Sequence, residues 1–453
     1  MTSATAQVTR GDATPGRRRA RPGPRIRDIQ RAERRKLTAQ LSTRLLALVC
    51  ALGPLAFAGL LSLQNGVPAD TLFGVWVHSS GYAVSLVVLG FSGSWGFPVI
   101  AGVLAGDVFS GEDRHGTWKT VLTRSALRRD VYAGKVLAAA ELAVGLVALA
   151  AVSSTVGGLA FTGDQPLVGL SGTMLSPGHS LELVALSWAA SVLPTLAFVA
   201  LALLFSLATR NGIAGAVGPV IVALVMALLD LIGNGTWVHA ALVGSAFSDW
   251  HGLFAAPPFL QPLLVGSLVS VVWTAGGLAL CARMLGRRDF AGAGAPRAAR
   301  WTRAGALVVI AVAAIGLLAA GTQLGPTTIT TRRLQASLTP TFNRLAPVQQ
   351  RELGRRVPVG TRLRIQPTCL RRGGGAAGPG DDWTCTLDVF IPQAGIEPFQ
   401  QTPVTYDMSV QANGCYKATS PPSFVGQQLM RDTHGHEVVN PLYTIYGCFE
   451  TDG

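Results

Sequence analysis

Chemistry needs acids, bases and nucleophiles brought together, so the titratable residues of this 453-residue chain come first. The seven histidines are scattered, and neither a Ser/His/Asp set nor a pair of carboxylates with catalytic spacing is recognisable. The phosphate-cradling pattern G-x-x-x-x-G-K-[ST] does not occur, so the chain is expected to hold no nucleotide itself. His434, His436 and Glu437 are metal-ligating types on a short turn. Without a further ligand they read as polar surface, and no metal site is expected. Asn234-Gly235-Thr236 matches a glycosylation sequon, a match short enough to arise by chance. The cysteines divide by position. Cys50 and Cys281 fall in apolar runs and pack as small apolar residues. Cys369, Cys385, Cys415 and Cys448 lie in the last third, an even set that predicts two disulfides. Three connectivities fit. Cys369–Cys385 with Cys415–Cys448 is preferred, because each pair would staple neighbouring elements around a Gly-rich or polar loop. A zinc site made from all four is the alternative, weakened by the lack of CxxC spacing.

The densest polar constellation spans residues 107–135. It carries Asp107, Glu112, Asp113, Arg114, Lys119, Arg124, Arg128, Arg129, Asp130 and Lys135. Ser110 with Asp113 three later suggests a capping-box helix start, Asp standing in for Glu or Gln. Trp118, Val121, Leu122 and Ser125 then fall on one side at helical spacing, with Lys119, Thr120 and Arg124 off that stripe. The spacing predicts a short amphipathic helix at a membrane surface. A solvated interfacial loop is the plainer alternative.

The surrounding elements make a membrane the relevant surface. Hydrophobic residues are 49% of the chain and charged residues 13%, against about 25% charge in soluble domains. That composition disfavours both a disordered chain and an ordinary soluble enzyme. Seven apolar runs reach the roughly 20 residues that a bilayer crossing requires: 45–63, 82–105, 131–161, 181–207, 213–232, 262–284 and 304–320. Continuous runs of this length are helices rather than barrel strands. A cleaved leader is disfavoured for the first run, since a long basic stretch precedes it. The net charge of +13 is concentrated in the alternate connections. The segments 1–44, 107–135, around 210 and 283–303 hold twenty-five Lys and Arg; 64–81, 162–180 and 233–261 hold none. By the positive-inside rule the N-terminus is cytoplasmic and the segment after the seventh run is outside.

Residues 1–25 read as a disordered basic tail attracted to anionic membrane lipid, with no feature of a nucleic-acid reader. Residues 26–44 put Ile29, Ala32, Leu37 and Leu41 on one face among Arg31, Arg34, Arg35 and Lys36, the pattern of an interfacial helix. Glu141 is a carboxylate within the third run. It could face a translocation path or meet a partner subunit; the alternative is a hydrated place near the interface. Glu182 and Asp230 fall near run ends, and Pro194 and Pro219 could kink their helices. Beyond a linker at 285–303 and the seventh run, residues 322–453 compose an external domain. Residues 334–356 could be helical, interrupted by Pro340 and Pro347, and β-like runs follow at 362–365, 383–391, 404–410 and 442–446.

Glu112, then Gly116 and Thr117, then Leu122-Thr123-Arg124, then Arg128-Arg129-Asp130 and Gly134-Lys135 resembles the permease subunits of ABC-2 type exporters. The resemblance covers residues 26–284. It implies a mainly α-helical polytopic membrane protein of the plasma membrane, with a six-helix permease core at 45–284. To that core the sequence adds a seventh transmembrane helix and a small disulfide-stapled α+β domain, mostly antiparallel β. The resemblance also implies a second permease copy or paralogue and a separate ABC ATPase subunit carrying ATP and Mg. This chain would then hold no cofactor and be no enzyme. The ATPase would be coupled through Glu112, Asp113, Arg114, Gly116, Thr117, Trp118, Lys119, Val121, Leu122, Arg124, Arg128 and Arg129. In that arrangement Trp118, Val121 and Leu122 supply buried contact while Arg114, Lys119 and Arg124 steer and orient. A polytopic anchor or sensor, whose disulfide-bonded domain binds a ligand or an envelope partner, is the competing expectation.

Overall fold

The computed structural model describes residues 26–64, 71–123, 127–170, 172–230, 241–256, 258–288, 329–355, 362–373, 377–391, 400–410, 414–422, 424–433, 435 and 437–448. Among these, six helices are long and apolar enough to cross a membrane: Leu41–Leu63, Gly81–Arg114, Arg128–Phe161, Pro177–Thr209, Gly212–Leu229 and Gln261–Gly286, here spans 1 to 6. The seventh run at 304–320 lies outside the described residues, as do the tail at 1–25, the sequon, His434 and His436.

The spans bend where their sequences weaken the helix. Span 2 is helical over Gly81–Phe91, widens into a π-turn at Ser92–Gly96, and resumes at Phe97–Ala105. The Ser-Gly-Ser sequence and the following proline are the residue types at which helices deform. Span 4 breaks at Ser191, just before Pro194. Spans 4 and 5 are joined at Arg210, the one left-handed non-glycine among the described residues. Lipid provides no hydrophobic force between spans, so small residues that let backbones approach carry much of the packing. A Cβ on Gly102 or Gly106 of span 2 would strike the backbone of Gly215 or Ala216 in span 5. Gly81 and Gly158 bring spans 2 and 3 together in the same way. At the end of the bundle away from the Arg-rich connections, Phe73, Trp250 and Phe254 cluster beneath a short hairpin of β1 (Leu167–Val168) and β2 (Met174–Leu175).

The C-terminal domain is a sheet covered by one helix. Thr330 caps the helix Thr331–Glu352 by accepting from the backbone N–H of Arg333. The strands β3 (Arg364–Arg371), β4 (Gly380–Ile391), β5 (Gln400–Val410), β6 (Cys415–Thr419) and β9 (Thr444–Cys448) pair antiparallel in the order β3-β4-β5-β6-β9. Trp383, Cys385, Leu387 and Val389 alternate onto the face that Leu334, Leu338, Phe342 and Leu345 cover. Both disulfides pair as preferred from the sequence, each bridging residues directly opposite in neighbouring strands: Cys369 with Cys385 and Cys415 with Cys448.

Two expectations are corrected. Pro340 and Pro347 do not interrupt the helix. They lie seven residues apart, two turns, so both weaken the side away from the sheet, where Pro340 is exposed. The sheet also holds β6, and β7 (Leu429–Arg431) pairs β8 (Glu437–Val439) in a separate hairpin. These strands are short and partly polar, which hid them.

Candidate functional site: the coupling segment

The apolar part of span 2 ends at Ala105, and the last residues of that span turn over the Arg-rich end of the bundle. Phe109 and Ser110 donate their backbone N–H groups to Ser206 Oγ of span 4, at 3.2 and 3.0 Å. A short helix, Ser110–Arg114, follows. The expected capping box does not form. Ser110 is already helical, and its hydroxyl donates to Gly106 O (3.1 Å) and Asp107 Oδ1 (3.0 Å). Asp113 is committed instead to an ion pair with Arg288.

Glu112 organises the segment. Its side chain is 5% exposed, and it accepts from Lys36 Nζ at 2.7 Å and Lys135 Nζ at 3.0 Å. Gly116 then turns the chain back with φ +63°, a conformation glycine adopts without strain. The turn lets the Thr117 backbone N–H reach Glu112 O at 3.0 Å, and the Thr117 hydroxyl donates to the Glu112 carboxylate. The Glu, Gly-Thr spacing is thus one structural unit: a buried acid, the turn that folds over it, and the hydroxyl that caps it.

Lys135 completes the unit from span 3. It is fully buried, and its ammonium has three acceptors for three N–H donors: Glu33 at 2.8 Å, Glu112 at 3.0 Å and the Val108 carbonyl at 3.3 Å. Glu33 and Lys36 come from the interfacial helix Ile26–Ala39. Two acids and two lysines therefore join three elements with no net charge. Burial alone would lower the Lys36 ammonium, but its hydrogen bond to Glu112 and the charges of Glu33, Glu112 and Asp107 hold it above the usual lysine range.

The face expected for the interfacial helix is only partly covered by protein, since Ala32 and Leu41 of that face, and Ile26 beside it, are exposed. Leu37 is buried, and Ile29 sits where a Cβ on Gly134 would collide with it. Arg27, Arg31, Arg34 and Arg35 are among its exposed residues. Arg34 pairs with Glu141, to which Gln30 also donates at 2.9 Å. The Glu141 carboxylate thus has partners on the interfacial helix, with its side chain 39% exposed.

A second layer is aromatic. Trp118 opens the helix Trp118–Thr123 and is 5% exposed. It stacks on Phe109 (6.3 Å), which stacks on Tyr132 (6.2 Å), whose hydroxyl donates to Leu278 O in span 6. The Trp118 ring is thus packed within this chain. Arg114, His115, Gly116, Thr120, Arg128 and Arg129 are exposed, and Val121 is half-buried. The side chains of Lys119 and Leu122, and all of Arg124, lie outside the described residues. Glu33, Phe109, Tyr132 and Arg288 were not singled out from sequence, and Lys36 was named only as part of the basic face of its helix. Glu33 had a signal, as an acid inside a basic helix; Arg288 had none.

Residues 31–230 match the model of a family described as ABC-2 family transporter protein. That stretch runs from the interfacial helix through span 5 and contains the whole of residues 107–135. With its six apolar spans the chain is a multi-pass membrane protein and fits an ABC-2 permease. Span 6 and the C-terminal domain lie beyond the match. No curated protein matches the chain significantly.

Proposed function

We propose that the chain is the permease subunit of an ATP-driven ABC-2 exporter of the plasma membrane, working with a second permease copy and with ATPase subunits that carry ATP and Mg. The Arg-rich end faces the cytoplasm in this reading. The C-terminal domain is then outside, where its two disulfides persist. The chain itself performs no hydrolysis. It receives ATPase motion at the coupling segment and converts it into rocking of the spans.

The observation that carries this reading is the Glu112 unit. A segment that transmits force cannot slide against the elements it moves. Glu112 ties the segment following span 2 to span 3 through Lys135 and to the interfacial helix through Lys36. The ATPase-facing surface is then the exposed turn Arg114-His115-Gly116 with Thr120, flanked by Arg128 and Arg129. Affinity purification of the full chain in mild detergent tests the reading. An ABC ATPase should co-purify and hydrolyse ATP. Recovery of the intact permease with no ATPase would instead favour a membrane anchor or sensor.

A further inference from the structure

The chain that leaves span 6 does not simply depart from the bundle. Arg288, two residues past that helix, reaches back to the coupling segment and pairs with Asp113. Both side chains are largely buried, at 10% and 15% exposure. The Arg288 guanidinium also lies 5.8 Å from the centre of the Trp118 ring, within cation–π range. Arg128, on the far side of the coupling segment, donates to the carbonyls of Gly286 (3.3 Å) and Arg288 (3.1 Å). The two short helices of the segment are thus gripped at Asp113 and Trp118 by one side chain from outside the family-matched region.

We propose that Arg288 is a positioning residue of the coupling site, so that the chain beyond span 6 sets how the segment is presented to the ATPase. The inference rests on the permease reading above. The Glu112 unit fixes the first short helix to span 3 and the interfacial helix. Trp118 begins the second, and its ring packs near both Phe109 and Arg288. Removing the guanidinium leaves Asp113 buried without that partner and takes the cation away from the Trp118 ring. The exposed turn at Gly116, between these two points, then loses one of its two anchors. Arginine suits the role because one flat, permanently charged group can both pair with a carboxylate and stack on indole.

The test uses the full permease titrated with its co-purifying ATPase in detergent, for wild type, Arg288→Ala, Arg288→Lys, Asp113→Asn and the Arg288→Ala/Asp113→Asn double. Misplacing a docking element should weaken ATPase capture about tenfold in Arg288→Ala, with KM for ATP unchanged because the nucleotide site is elsewhere. Asp113→Asn should weaken capture comparably, and the double should be little worse than either single. Arg288→Lys should fall between, keeping the charge and losing the flat stack. It also carries the test if the alanine variant does not fold. Wild-type capture by both Arg288 variants, or single effects that simply multiply in the double, would overturn the proposal while leaving the permease reading intact. Failure of wild type itself to capture any ATPase would overturn the permease reading, and this role with it.

Discussion

A fully buried ammonium is tolerable only when each of its protons has an acceptor and its charge is balanced nearby. Lys135 meets both conditions through Glu33, Glu112 and the Val108 carbonyl. Removing one member should therefore hurt more than a count of ion pairs suggests. Lys135→Met, similar in length, should lower stability by roughly 3–5 kcal/mol, since it strands buried carboxylate charge. Thr117→Val removes a single hydroxyl donor from the Glu112 carboxylate and should cost about 1–3 kcal/mol. Thermal melts of the two variants in one detergent check the order; equal melting temperatures would contradict the network. A titration belongs to this scale too. Burial, and then the nearby Asp432, raise the Glu352 carboxyl above its ordinary range. The folded domain then holds a proton that the unfolded chain releases, so Glu352 lowers stability as pH climbs from the ordinary carboxylate range through the raised value. Glu352→Gln should flatten that part of the stability–pH curve, measured by urea melts of the full chain at several pH values. A curve unchanged by the substitution would contradict the assignment.

At the scale of elements, what could be read from sequence follows from how local each signal is. The six spans were legible because about 20 consecutive apolar residues leave few other solutions. The disulfides were legible from an even cysteine count, and the pairing from the loops between. The coupling segment was legible as a motif but not as a geometry. Nothing in the spacing of Trp118, Val121 and Leu122 says that Trp118 turns inward, because its ring meets Phe109, from before the Gly116 turn, and Arg288, from beyond span 6. The capping box failed for the same reason, with Asp113 claimed by a residue 175 positions away. The disulfides give an element-scale prediction. Cys369–Cys385 closes a separation of 16 residues and Cys415–Cys448 one of 33. A doubled loop constrains the unfolded chain by only about 0.6 kcal/mol more. Replacing either pair by serine should therefore destabilise the C-terminal domain by roughly 2–4 kcal/mol, the second slightly more. Denaturant melts that differ between the pairs by several kcal/mol would show that native packing, and not loop closure, sets their worth.

The whole molecule adds a relation that no single element shows. Span 2 leads into the Glu112 unit at one end, and at the other follows directly on the loop holding Leu72 and Trp76. The C-terminal domain rests on that loop and on the β1–β2 hairpin. Leu345 of its helix and Pro441 and Tyr446 of its sheet side line a crevice with Leu72, Trp76 and Val168. At the other end, Arg288 pairs with Asp113 of the short helix Ser110–Arg114. The chain beyond the family match thus touches what lies before span 2 and what lies after it. The contact with the hairpin can be tested at Gly172. Its φ of +73° is left-handed, and a Cβ there would sit 2.9 Å from Leu345 Cγ and 3.0 Å from Arg344 Cβ. Gly172→Leu adds both left-handed strain of about 1–2 kcal/mol and a wedge beneath the domain. It should speed proteolytic release of the C-terminal domain from the intact chain, with the released disulfide-bonded piece still resistant. Arg344→Ala, which trims the contact without touching the hairpin backbone, should leave release near the wild-type rate. Unchanged release in Gly172→Leu would mean that the domain is held by its tether alone, and the link from the far side of span 2 to the C-terminal domain would be lost.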